Sequence, residues 1–196
     1  YGDVLPLSTL HPTRYLLQSI PFLFPTLGLP AHRFWQFLLW IVLTAGTAIA
    51  LSSRAVSPVE KAFRWILVGW YFLYLLRVGV YYHLEVMVIL PLLFVSAKHP
   101  WRSLIAVIAA SLWAGVSRVN WFPVPAMIAV AIYLLERPVS PVAPLSFKQF
   151  MKYLAQPVLW LGAGLTSALI TQAAYIPLSG NSKNAEAFAS SFSSAL

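Results

Sequence analysis

The chain has 196 residues, 60% of them hydrophobic and only 9% charged, with a mean hydropathy of +0.76. A soluble domain carries about 25% charged residues, so this chain has too few to cover a water-facing surface, and the same figures exclude intrinsic disorder. The absence of cysteine excludes a disulfide scaffold, thiol catalysis and Cys-ligated metals. The net charge of +8, which in a soluble protein would point to nucleic acid, here fits membrane loops facing anionic lipid, and no nucleic-acid partner is expected. The apolar runs are continuous rather than alternating, so the expected fold is all-α, a polytopic transmembrane bundle of about six spans rather than a barrel.

In chain order, Leu5–Pro30 is apolar but interrupted by Pro12, Pro21, Pro25 and Pro30. That density predicts short interfacial helices or a re-entrant element instead of one straight span. Residues 1–33 therefore read as an extracytoplasmic loop. Six apolar runs follow, at Phe34–Leu51, Phe63–Leu76, Val78–Ala97, Ser103–Val116, Phe122–Leu135 and Tyr153–Tyr175, and make 34–175 the bundle. Several are shorter than the roughly 20 residues a spanning helix needs, but the flanking Trp65, Trp70, Trp101, Trp121, Arg64 and Arg102 can extend them by snorkelling to the interface. Residues 176–196 read as a polar extracytoplasmic loop. With Tyr1 in place of Met, no leading apolar span and a polar end, the chain is expected to be a piece of a longer protein cut in a loop on both sides.

Charge orients this bundle. Placing the ends alternately puts Arg54, Lys61, Arg64, Lys98, Arg102, Arg137, Lys148 and Lys152, eight cations, on one side, and Arg14, Arg33, Arg77, Arg118 and Lys183, five, on the other. The richer side carries its charge in short loops such as Ser52-Ser53-Arg54, so it is assigned to the cytoplasm and both ends of the chain to the outside.

Polar groups then collect at the outer apolar boundary: Asp3, His11, Arg14, Arg77, Tyr81, Tyr82, His83, Glu85, Arg118, Asn120 and Trp121. Arg77 and Glu85 lie in an otherwise apolar and aromatic stretch, where an ionisable group costs about 2.5–3.5 kcal/mol at a helix centre. On a continuous helix Arg77, Tyr81 and Glu85 would share a face as a ladder of cation, phenol and carboxylate. The competing reading has Arg77 mark a turn between two short spans and Glu85 pair with Arg118 as bundle glue. His83 and Glu85 sit about 200° apart on a helix and cannot easily clasp one ion. An oxygen-ligated divalent cation centred on Asp3, the sole aspartate, is the one metal reading left open, and no metal ligand is assigned. Asn120 with Pro123 and Pro125 reads first as a capped helix start with Trp121 in the interfacial belt. Leu161-Gly162-Ala163-Gly164 with Ser167 and Ala168 reads as a small-residue face for close helix packing. There is no P-loop, Gly-x-Gly-x-x-Gly, Gly-x-Ser-x-Gly or His-Glu-x-x-His motif.

The order Tyr1-Gly2-Asp3-Val4, then His11-Pro12-Thr13-Arg14-Tyr15-Leu16-Leu17, then Phe34–Leu51 resembles the early bundle of GT-C type membrane glycosyltransferases, which use polyprenyl-phosphate sugars. The likeness is one of layout over residues 1–175. The chain has a single Asp where many members have an acidic pair, and it lacks their terminal soluble domain. The resemblance implies a plasma-membrane enzyme of a bacterium or archaeon that moves a sugar from a lipid-phosphate carrier to an acceptor at the outer face. It implies Asp3 as the catalytic residue that activates the acceptor hydroxyl. Arg77 and Arg118, with Arg14 or His83, would neutralise the departing phosphate, and Tyr81, Tyr82 and Trp121 would stack on sugar or isoprenoid. Glu85 and Asn120 complete the expected substrate-binding set. Two other classes share the same outer residues: a transporter or lipid-handling protein, which calls for inverted repeats or broken central helices, and a non-catalytic helical subunit of a larger membrane complex.

Overall fold

Proline sets the first breaks in the chain. The structure, a computed structural model, describes residues 12–54, 61–139, 146–181 and 183–193. Pro12 opens helix α1 (Pro12–Gln18), Pro21 sits in the first turn of a 3₁₀ segment at Ile20–Leu23, and Pro30 lies in the first turn of α2 (Leu29–Ser53). At these positions the missing N–H has no helical partner to lose and the fixed φ suits the turn. The expected short helices ahead of the first long one are therefore present.

The remaining elements are α3 (Lys61–Val78), α4 (Tyr82–Phe94), α5 (Pro100–Gly115), a 3₁₀ turn at Val119–Trp121, α6 (Val124–Glu136), α7 (Phe147–Leu178) and α8 (Lys183–Ser193). Among the described residues every regular element is helical. Three segments are long and apolar enough to cross a membrane: Leu29–Ser53, Val119–Glu136 and Phe147–Leu178. This is the pattern of an integral membrane protein. α4 is apolar but has 13 residues, about 20 Å of helix against a hydrocarbon core of about 30 Å. α3 carries Lys61, Arg64 and Arg77 within 18 residues. Residues 176–196, read above as a polar extracytoplasmic segment, are largely helical where described. α7 runs on to Leu178, Gly180 turns the chain at φ +64°, and α8 follows, because Asn184 and Ser179 hydrogen-bond across the turn at 2.5 Å.

Small residues set the core. An ideal Cβ on Gly115 would stand 2.5 Å from the carbonyl oxygen of Ala168, and one on Gly164 would stand 2.9 Å from Ala126 Cβ and 3.0 Å from Ser111 Oγ. α5 and α7 therefore touch almost backbone to backbone. The order of these contacts, Ser111 with Gly164 and Gly115 with Ala168, makes the two helices parallel. α6 runs back antiparallel alongside both, and Ala106, Val107, Ala126, Ala129 and Trp160 fill the centre. Gly164 and Ala168 supply the expected small-residue face, whereas Gly162 faces open space.

Pro157 leaves the carbonyl of Tyr153 without its helical donor. The Tyr133 hydroxyl of α6 donates to that oxygen at 3.0 Å, and the Tyr133 ring meets buried Trp160 edge-on at 5.8 Å. At the same end of the bundle, Arg54 does more than occupy a loop. Its Nε donates to Leu92 O, one terminal nitrogen to Val95 O at 2.7 Å, and the other to Glu136 at 3.1 Å. Glu136 in turn accepts from the Ala97 amide at 2.7 Å and the Ser96 hydroxyl at 2.9 Å. Arg102 donates to Phe94 O at 3.0 Å. The two arginines thus satisfy carbonyls that α4 leaves open where it stops. α3 lies outside this core, packed on α2, with Trp65 and Trp70 exposed and no buried side chain among those described.

Candidate functional site

α1 is pinned to the opposite end of the bundle by three hydrogen bonds. The Thr13 and Ser117 hydroxyls meet at 2.7 Å, Trp35 Nε1 donates to Leu17 O at 2.9 Å, and Gln18 Nε2 donates to the Tyr82 hydroxyl at 2.7 Å. The third wall comes from the break between α3 and α4. Gly79 at φ +69° takes a left-handed conformation that L side chains avoid, so the helix ends and the chain turns through Val80 and Tyr81 into α4. Between these walls lies a cavity of about 460 Å³. α1 contributes Arg14 and Gln18, α2 contributes Arg33, Gln36, Phe37 and Trp40, and the turn contributes Tyr81 and Tyr82. The Arg14 guanidinium lies beside the Tyr82 hydroxyl, and its Nε is buried with no hydrogen-bond partner among the described residues. A second, more apolar chamber of about 610 Å³ shares Gln18 and Gln36 and adds Tyr15, Phe22, Leu27, Leu29 and His32.

Two guanidinium groups, two amides and two phenols around one cavity suit an anionic, hydroxyl-rich ligand. Arginine offers forked donors to phosphate or carboxylate, amides match sugar hydroxyls, and Trp40 and Phe37 offer flat apolar faces. Among the described residues no three metal-ligating side chains converge.

The residues singled out in the sequence divide into three groups. Arg14, Tyr81 and Tyr82 line the cavity. His83 and Glu85 lie deeper. The His83 ring packs against the rings of Tyr81 and Tyr82, with centroids 5.8 Å away in each case, and its carbonyl accepts from Trp113 Nε1 at 2.7 Å. The Glu85 carboxylate is buried one turn below and accepts from Thr44 at 3.1 Å and Thr47 at 3.3 Å. Arg77, Arg118 and Asn120 are exposed and do not line the cavity, and half-buried Trp121 packs against the buried cluster of Leu84, Met87, Ala110 and Ala114. Asp3 and His11 lie outside the described residues.

Three expectations are corrected. Arg77, Tyr81 and Glu85 form no ladder, because Gly79 separates Arg77 from the other two. Glu85 does not pair with Arg118: its carboxylate is held by α2 threonines. Asn120 does not cap α6: it belongs to the preceding 3₁₀ turn, and Pro123 holds the cap position.

The sequence reading missed Gln18, Arg33, Gln36, Phe37 and Trp40. A signal for the α2 residues was present, since Arg33, Gln36, Trp40, Thr44 and Thr47 are spaced by three or four and form a stripe along one face. Comparison with protein-family models, curated proteins and solved structures finds no match for this chain.

Proposed function

We propose that this chain is part of an integral membrane glycosyltransferase that takes a sugar from a lipid-phosphate carrier at the outer face. The observation that carries the reading is the cavity in which Arg14 and Arg33 stand with Gln18, Gln36, Tyr82 and Trp40. In such a site the two arginines hold the carrier phosphate and stabilise the charge that grows on it as the glycosidic bond breaks. That is the largest electrostatic demand of the reaction. The amides and tyrosines fix the sugar hydroxyls, and Trp40 and Phe37 take the sugar face or the first isoprenoid unit. Asp3 keeps the role that the family resemblance implies, as base toward the acceptor hydroxyl. In this reading α2 through α7 are six spans, and the end bearing α1 and α8 faces outward. The membrane is the plasma membrane of a bacterium or archaeon.

A second reading, passage of an anionic lipid through the same chamber, is favoured by α4. This short helix is central to the bundle, like the interrupted helices of transporters. The test is transfer of labelled sugar from polyprenyl-phosphate donors in membranes containing the full-length protein. Arg14→Gln and Arg33→Gln should each lower transfer at least about tenfold at unchanged expression. Wild-type protein that transfers nothing from any donor, or variants that match it, would overturn the enzyme reading. Flipping of the same lipids without transfer would establish the alternative.

A further inference from the structure

The parallel seam of α5 and α7 opens, at the end away from the arginine chamber, into a separate groove of about 320 Å³. Its walls are apolar: Trp101 and Leu104 from α5, and Ala155, Leu159 and Trp160 from α7. One polar side chain joins them. Gln156 lines the groove, and its Nε2 is buried with no hydrogen-bond partner among the described residues. An unpaired amide in an apolar wall is costly, so it points to a ligand that brings an acceptor of its own.

Beyond the groove lie exposed lysines, and the one acid at this end among the described residues, Glu136, is taken up by Arg54 at 3.1 Å. Lys148 and Lys152 precede Gln156 by two turns and one turn at spacings of four, on the stripe that continues to Leu159, and both are exposed. Lys98 is exposed just ahead of α5. α5 and α7 are parallel and both point their positive N-terminal ends this way, that of α7 about six residues beyond that of α5, and neither first turn contains an acidic residue. Trp101, 76% exposed, marks the rim as an interfacial tryptophan does. Read along the seam, the order is cations, then an amide donor, then an apolar cleft. That is the order of phosphate, ester carbonyl and acyl chain in a bilayer phospholipid.

We infer that this groove binds one anionic glycerophospholipid. Its phosphate lies among Lys98, Lys148 and Lys152, an ester carbonyl accepts from Gln156 Nε2, and an acyl chain lies against Trp101, Leu104 and Leu159. Basic pockets between helices on the cytoplasmic side of a membrane recognise such head groups. The assignment requires the membrane but not the transferase activity.

The test is native mass spectrometry of the full chain in mild detergent, titrated with dioleoyl phosphatidylglycerol and, separately, dioleoyl phosphatidylcholine. Wild-type protein should retain one phosphatidylglycerol with at least about thirtyfold preference, the contribution of two cations at the membrane surface. Lys148→Gln/Lys152→Gln, which alters only exposed positions, should remove most of that preference and leave what Lys98 alone contributes. Gln156→Leu should weaken both lipids alike, since both carry the ester carbonyl. Equal retention of the two lipids by wild type, a preference that survives the double substitution undiminished, unchanged binding in Gln156→Leu, or displacement by inorganic phosphate alone would each overturn the inference.

Discussion

Replacing Gly115 by alanine tests the α5–α7 seam directly. The added Cβ would come within 2.5 Å of Ala168 O, 2.8 Å of Thr171 Cβ and 3.1 Å of Ala168 Cα. Two of those three atoms are backbone and cannot rotate away, so the helices must separate. Overpacking of this kind costs about 1–3 kcal/mol, and the better helix propensity of alanine returns up to about 1 kcal/mol. With a backbone oxygen as the obstacle the net loss should be about 2 kcal/mol, or roughly 4–8 °C in Tm for a chain of this size. Gly164→Ala meets Ala126 Cβ, itself fixed to the backbone, at 2.9 Å and two side-chain tips at 3.0–3.1 Å, wider gaps than the 2.5 Å at Gly115, and should lose less. Gly162→Ala meets nothing within 4 Å and should match or exceed wild type. Thermal unfolding in detergent, followed by the emission of the eight tryptophans, ranks the three variants. The packing account fails if Gly115→Ala melts with wild type, or if Gly162→Ala falls as far as Gly115→Ala.

Three further outcomes are expected. Arg54→Met strands the carbonyls of Leu92 and Val95 and one side of Glu136. It should cost about 1–3 kcal/mol in the same melt, and Arg54→Lys should recover less than half of that, because one ammonium cannot reach three acceptors in the geometry of a guanidinium. At Glu85, the single proton of Thr47 serves both Leu43 O at 3.1 Å and Glu85 Oε2 at 3.3 Å. Glu85→Gln adds an N–H toward Thr47 and should keep wild-type stability or raise it, whereas Glu85→Ala should lower it by about 1–3 kcal/mol through the lost contacts. Gly79→Ala finds open space but keeps φ near +69°, so its cost of about 1–2 kcal/mol should appear as conformational strain, with Gly79→Asn milder in the same assay.

The helical elements were legible because length and continuity of apolar residues are one-dimensional properties. The runs at Ser103–Val116 and Phe122–Leu135 became α5 and α6 within three residues at either end. The long last run gained six residues at its start, where Ser146 and Gln149 form a reciprocal cap that hydropathy does not register. Phase was harder to read. Small size alone could not tell Gly164, in the seam, from Gly162, outside it. The site was half legible for a related reason. Arg14, Tyr81 and Tyr82 stood out as polar groups in apolar surroundings, whereas Arg33 and Gln36 looked like the soluble margin of a span until α1 folded over them. The spacing of Arg77 and Glu85 puts them on one face only if the helix is unbroken, and the chain breaks at the left-handed Gly79 and extended Tyr81 between them.

The parallel arrangement of α5 and α7 also bears on how the chain is made. Ser111 and Gly115 leave the ribosome well before Gly164 and Ala168, with the whole of α6 in between, so half of the tightest seam is synthesised without its counterpart. During that interval α5 presents a flat strip of serine and glycine that gains little from lipid tails. It must wait beside the insertion machinery or shelter against α4 until α7 arrives. Chains halted before Leu161 should therefore be held back by membrane quality control, and those that extend past Thr171 released from it.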